Sequence, residues 1–209
     1  MSSNPLTNAA ASSRTRTATI SRTTRETTIR GTLNLDGRGN AAICTGIGFL
    51  DHMLTALAVH GRLDLEVSCT GDLQVDDHHT AEDVAIVLGQ LIDAALGDRA
   101  GIARYGAAFA PLDESLARTV IDLCTRPICE CDLRLVREKL GELSCENVPH
   151  VLRSLAISGR FTLHVDVLKG SNDHHKVEAA FKSLALALRQ AVAIDPALVG
   201  TVASTKGVL

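Results

Sequence analysis

The feature that most constrains this chain is that it repeats itself. Residues 52–67, HMLTALAVHGRLDLEV, lie over residues 150–165, HVLRSLAISGRFTLHV, at a constant offset of 98 with eight of sixteen positions identical. The matches include Leu54/Leu152, Leu57/Leu155, Gly61/Gly159, Arg62/Arg160 and Val67/Val165. After a two-residue shortening, Asp77, His78, His79 and Glu82 fall on Asp173, His174, His175 and Glu178 at an offset of 96. Further upstream, ETTIRGTLNL from Glu26 resembles ESLARTVIDL from Glu114 at an offset of 88. Such a chain is expected to fold as two copies of one unit of about 90 residues. Residues 16–97 would form the first repeat, 98–193 the second, and 194–209 a tail outside both.

Each copy reads in the same order. Strand-like stretches come first: RTATISRTT, ETTIRGTLNL and AAICTG in one half, IARYGAAFA, LARTVIDLC and ICECDLRLV in the other. Asp36-Gly37 marks a turn. A helix is expected to begin near Phe49 and near Val148, with Gly61 and Gly159 placed to end it. One more strand follows (LDLEVSC, FTLHVDVL), then a second helix after each DHH cluster. Its apolar positions 84, 85, 88, 91, 92 and 95 correspond to 180, 181, 184, 187, 188 and 191, one buried stripe at helical spacing. The predicted fold class is α+β, an internally duplicated chain of two similar modules, each a small mixed β-sheet covered by two helices.

Composition narrows the function classes. The 209 residues are 45% hydrophobic and 22% charged, ordinary for a globular protein, but only 2% aromatic with no Trp. The core is therefore expected to be Ala, Leu, Val and Ile. A net charge of −3 gives no electrostatic reason for a nucleic-acid partner. No apolar run approaches the roughly 20 residues that span a bilayer, so no membrane partner is expected. The six cysteines contain no CxxC pair and read as free thiols of a reducing compartment. Residues 1–15, MSSNPLTNAAASSRT, read as a disordered N-terminus. They hold one Arg and no acid, which also suits a short organelle-targeting peptide. The expectation adopted is a cytoplasmic protein with a ragged start.

Eight histidines are present, and four of them sit in the two HHxxE clusters. Positions i and i+4 share one helix face, so His78 with Glu82, and His174 with Glu178, can each grip one cation. His79 and His175 are turned about 100° away and point elsewhere, towards a different metal. His52 and His150 occupy matching places near the start of the preceding helix. The candidate ligands are thus six His and two Glu in two equivalent sets of four, leaving two open positions on an octahedral ion. Imidazole with carboxylate and no thiolate suits Mn2+, Fe2+ or Zn2+, with octahedral geometry favouring manganese. Open positions suit catalysis. Asp77 and Asp173 are expected to serve as helix N-caps.

These residues carry a resemblance. RTTRET from Arg22, TGIGFLDHML from Thr45, Gly71-Asp72, DHHTAED from Asp77, PLDE from Pro111, NDHH from Asn172, Phe181-Lys182 and STKG from Ser204 resemble the imidazoleglycerol-phosphate dehydratase family of histidine biosynthesis. The resemblance runs in order over about residues 16–209. It implies a lyase that dehydrates D-erythro-imidazole-glycerol phosphate to imidazole acetol phosphate through a metal-bound imidazolate. It implies two Mn2+ per active site and a homo-oligomer of about 24 subunits with sites between chains. It also implies Glu26 as the general acid/base and substrate contact. Arg104, Arg126, Lys182, Ser204, Thr205 and Lys206 would bind the substrate phosphate, and His60 would touch substrate. The roles of Asp113 and Glu114 are left open. Two other readings stand beside this one: a dinuclear phosphate-ester hydrolase, and a non-enzymatic metal-storage or metal-sensing protein. The first would need a bridging carboxylate; the second would not need STKG or the arginines.

Overall fold

Short runs of β-branched and polar residues in alternation, such as TATISRT and TTIRGTLN, suit one face against a core and one in water. In the computed structural model, which describes residues 15–209, they pair as β1 (Thr17–Thr23) and β2 (Thr27–Asn34), in register from Thr17 opposite Asn34 to Thr23 opposite Thr28. The expected disordered segment falls, except for Thr15, outside the described residues. β3 (Ala41–Cys44) runs parallel to β4 (Asp64–Gly71), and a parallel pair needs a crossover, supplied by α1 (Gly48–Gly61). α2 (His78–Leu96) closes the first module, whose sheet order is β1-β2-β4-β3.

The second module repeats this plan. β5 (Tyr105–Leu112), β6 (Ser115–Asp122), β7 (Ile128–Asp132), α3 (Asn147–Ser158), β10 (Thr162–Lys169) and α4 (Asp173–Ala191) give the order β5-β6-β10-β7, again with one parallel pair. The duplication is therefore structural as well as textual, and the fold is α+β. What the second half adds is a small hairpin, β8 (Lys139–Leu140) with β9 (Leu143–Ser144), inserted before α3. β7 is shorter than ICECDLRLV suggests, because Arg134 takes a positive φ of 50° and turns the chain out of the sheet. β5 starts late because Arg104, at φ 71°, breaks the strand before Tyr105.

Helices cover the inner face of each sheet, and the two helix layers meet: α1 packs on α4, and α2 on α3. Every residue of the two predicted stripes is buried, from Val84 to Ala95 and from Ala180 to Ala191. They join one continuous core. Each fully buried Leu, Ile or Val there contributes about 1.5–3 kcal/mol relative to exposure. The crossings are close because small residues sit at them. A Cβ on Gly89 of α2 would lie 2.5 Å from the Leu155 carbonyl oxygen and 2.7 Å from the Gly159 nitrogen.

The helices end where expected, α1 at Gly61 and α3 with Gly159 as its C-cap, but the left-handed conformation falls one residue later, on Arg62 (φ 55°) and Arg160 (φ 52°). The glycines are there for room: a Cβ on Gly159 would lie 2.3 Å from the Phe161 ring. One expectation about helix ends is corrected: Asp77 and Asp173 do not cap through their side chains. Asp77 Oδ2 accepts from Ser144 N (2.6 Å) and Asn147 Nδ2 (2.9 Å), tying α2 to the inserted segment. Asp173 lies inside α4 and accepts from the N–H groups of Val136 and Arg137, while Asn172 caps the helix through His174 N. In both halves the buried carboxylate is taken up by longer-range donors, which satisfy it inside the fold, and does not turn back to its own helix end.

The tail is anchored at the junction of the modules. Gly101 N donates to Thr201 O at 2.8 Å, and the Arg104 guanidinium donates to the Ala203 carbonyl. All six cysteines are free thiols, and no helix among the described residues is long and apolar enough to cross a membrane.

Candidate metal centres

The helix–helix packing decides which histidines meet. His52 of α1 joins His174 and Glu178 of α4, and His150 of α3 joins His78 and Glu82 of α2. In each trio the donor atoms lie within 4.8 Å of one another. His52 Nε2 and His174 Nε2 each stand 3.2 Å from Glu178 Oε2, and His150 Nε2 stands 3.0 Å from Glu82 Oε1. The i, i+4 pairs form as the spacing predicts. The second histidine of each trio comes from the opposite repeat, so the two trios exchange members across the pseudo-symmetric interface. Sequence identity between the halves left that choice open.

The sets hold three donors within this chain, not four. His79 and His175 belong to neither trio. His79 Nδ1 contacts Asp72 Oδ2 at 3.0 Å, with Glu26 Oε1 3.9 Å from its Nε2. His175 Nδ1 contacts Glu114 Oε2 at 2.8 Å, with Asp113 Oδ2 3.9 Å from its Nε2. The neighbouring carboxylates raise the pKa of both imidazoles, through Asp72 for His79 and Glu114 for His175.

The two trios are equivalent but not identical. Lys182 Nζ lies 2.7 Å from Glu178 Oε1, whereas the corresponding residue near Glu82 is Ile86. Burial alone would raise the Glu178 carboxyl, but Lys182 and His52 overcome it and hold the pKa at about 2. In the other trio His78 Nδ1 contacts Asn147 Oδ1 at 2.9 Å. Asn147 spends its amide N–H on Asp77, so its oxygen faces the ring, His78 carries the Nδ1 proton, and Nε2 is left as the free donor atom. Asn147 was not singled out from sequence, and Asp72 entered only within the Gly71-Asp72 motif without a role, since neither has a counterpart of its own type in the other repeat.

Two imidazoles and a carboxylate converging within 4.8 Å, with no thiolate, fit a divalent cation such as Mn2+, Fe2+ or Zn2+. Three coordination positions of an octahedral ion are left for substrate and further ligands.

The remaining candidates fall in separate places. Arg104, Arg126, Ser204, Thr205 and Lys206 line one cavity of about 590 Å³. Arg104 is held there by Asp122 through Nε at 2.7 Å and Nη2 at 3.1 Å, so it supports the wall and the tail. Lys182 stands beside Glu178, and His60 is exposed in the last turn of α1. Glu26 is exposed on the β1–β2 turn. That turn is fixed to α2 because Arg22 and Thr27 both bind the buried Asp83 carboxylate.

A family model described as imidazoleglycerol-phosphate dehydratase matches residues 45–188. The curated imidazoleglycerol-phosphate dehydratase of Chloroflexus aurantiacus is 54% identical over 196 residues, 94% of this chain and 96% of that one. The one from Phytophthora nicotianae is 58% identical over 194 residues, 93% of this chain but only 42% of that longer relative. The crystal structure of imidazoleglycerol-phosphate dehydratase from Staphylococcus aureus superposes with a TM-score of 0.78 at 36% identity, covering 86% of this chain and 99% of that one. A Pyrococcus furiosus structure of the same family gives 0.78 at 35%, covering 91% and 100%.

Proposed function

Because the chain belongs to the imidazoleglycerol-phosphate dehydratase family, we propose that it removes water from D-erythro-imidazole-glycerol phosphate to give imidazole acetol phosphate in histidine biosynthesis. The observation that carries this reading is the pair of matching donor trios, a number that suits a substrate ring with two nitrogens. His52, His174 and Glu178 would hold one cation and His78, Glu82 and His150 the other, with manganese the expected metal. Such ions, when bound, supply Lewis acidity that lets negative charge build on the ring as hydroxide leaves the adjacent carbon.

The chain's own groups handle protons and position. The C–H next to the departing hydroxyl is not acidic, so its removal needs a nearby base. Glu26 is the proposed base: its carboxylate accepts no hydrogen bond among the described residues, and its turn is braced by Arg22, Thr27 and Asp83. Transfer of that proton to Glu26 leaves an enol, which becomes the ketone. Arg126, Ser204, Thr205 and Lys206 would hold the phosphate in the tail cavity, with Arg104 fixing its wall. His60 and Lys182 are proposed as further substrate contacts. Since His79 and His175 point away from their own trios, we propose that they complete trios of neighbouring subunits, in a closed assembly of about 24 chains.

Protein loaded with Mn2+ should convert the substrate to the ketone without releasing inorganic phosphate. Phosphate release would instead indicate a hydrolase, and no conversion with Mn2+, Fe2+ or Zn2+ would overturn the assignment.

A further inference from the structure

Glu26 and Glu114 occupy corresponding places, each on the turn that leads into the second strand of its module. Their surroundings have diverged. Glu114 Oε1 accepts from Asn172 N at 2.9 Å, Ser171 N at 3.1 Å and Ser115 Oγ at 3.1 Å, and its Oε2 meets His175 Nδ1. In the first module the same service to His79 comes from Asp72, in the segment between β4 and α2. The corresponding segment of the second module, Gly170-Ser171-Asn172 between β10 and α4, contains no acid. The turn carboxylate has taken the vacant role there.

We infer that Glu114 is a positioning residue which holds His175 as the Nδ1–H tautomer, keeping a lone pair on Nε2 for a cation and withdrawing this copy of the duplicated acid from proton transfer. A carboxylate fixed by two backbone N–H groups can only accept, so the shared proton must belong to the imidazole. The inference rests on the metal-binding reading of His175 given above.

The test compares Glu114→Gln with Glu114→Ala. The Gln amide oxygen keeps the bonds from Ser171 and Asn172, but its NH2 group faces Nδ1 and favours the opposite tautomer. The Ala variant loses the anchors yet leaves Nδ1 free to bond water. Mn2+ affinity, read from free Mn2+ by electron paramagnetic resonance, should fall in the order wild type, Ala, Gln. The loss in E114Q should be about 10–100-fold. Thermal stability of the metal-free protein should rank the two variants the other way, and E114Q should regain most turnover at saturating Mn2+. Glu26→Gln should bind Mn2+ normally and stay inactive at every Mn2+ concentration. The proposal is overturned if E114Q binds Mn2+ as well as E114A, or if its turnover stays lost at saturating metal. Wild-type protein that binds Mn2+ but forms no ketone would instead sink the functional reading, leaving the affinity order to judge Glu114.

Discussion

His150 on α3 places Nε2 3.0 Å from Glu82 Oε1 on α2, joining positions that stand in opposite repeats. The equivalent pair, His52 and Glu178, meets at 3.2 Å across α1 and α4. Each repeat thus supplies two donors to one trio and one to the other, so neither trio could be built by one module alone. Gene duplication here yields a pair of sites only because the two helix layers pack face to face.

The exchange of histidines can be tested by counting metal. With the two proposed centres per chain, His150→Ala combined with His78→Ala removes ligands from one trio and should leave about one bound Mn2+. His150→Ala combined with His174→Ala strikes both and should leave none under the same dialysis. If the second double variant kept one ion, the ligand sets would lie within the repeats.

Gly89→Ala should separate α2 from α3, because its Cβ would stand 2.5 Å from the Leu155 carbonyl oxygen. Overpacking of this kind costs about 1–3 kcal/mol. Denaturant unfolding should show that loss, and metal analysis should show weaker binding at the His78–Glu82–His150 centre with the other spared. Equal weakening at both centres would contradict the local reading.

Glu26→Gln is isosteric and removes only the proposed base. Turnover should drop by about 10²–10⁴-fold, the range for a positioned general base, with Mn2+ content unchanged. An active variant would remove Glu26 from the mechanism.

Asp77 predicts a specific acid response. Burial pushes its carboxyl up, but Asn147 and Ser144 win and hold the pKa below the usual value of 3.8. A depressed carboxyl stabilises the fold fully above its unfolded pKa and loses that contribution as pH falls through the folded one. Asp77→Ala should therefore cost about 1–3 kcal/mol at pH 7. Urea midpoints of metal-free protein should show the gap to wild type narrowing below about pH 4. A gap that stays constant into acid would mean the carboxylate charge contributes nothing.

Lys206 lines the tail cavity and has no ion-pair partner among the described residues. Lys206→Ala should raise KM by about 10–100-fold, the equivalent of one charge-assisted hydrogen bond, with kcat changed far less. Steady-state kinetics over a range of substrate would show a kcat effect alone if the residue served elsewhere.

What the sequence by itself determined is the local and repeated part of this protein. The period of the apolar residues set α2 and α4, because a 3.6-residue turn leaves one face for the core. The i, i+4 spacing put His78 beside Glu82 and His174 beside Glu178 for the same geometric reason. The alternating stretches became strands, and the offset between halves announced two equivalent modules. Tertiary structure alone decided the rest. Whether His52 serves Glu82 or Glu178 depends on which helices meet, α1 on α4 and α2 on α3, and that follows from packing between the two repeats. The same holds for Asp77 and Asp173, whose local pattern promised caps. Once folded, backbone donors of Val136, Arg137 and Ser144 reached those buried carboxylates, and leaving a buried carboxylate without donors would cost more than leaving a helix end to other partners.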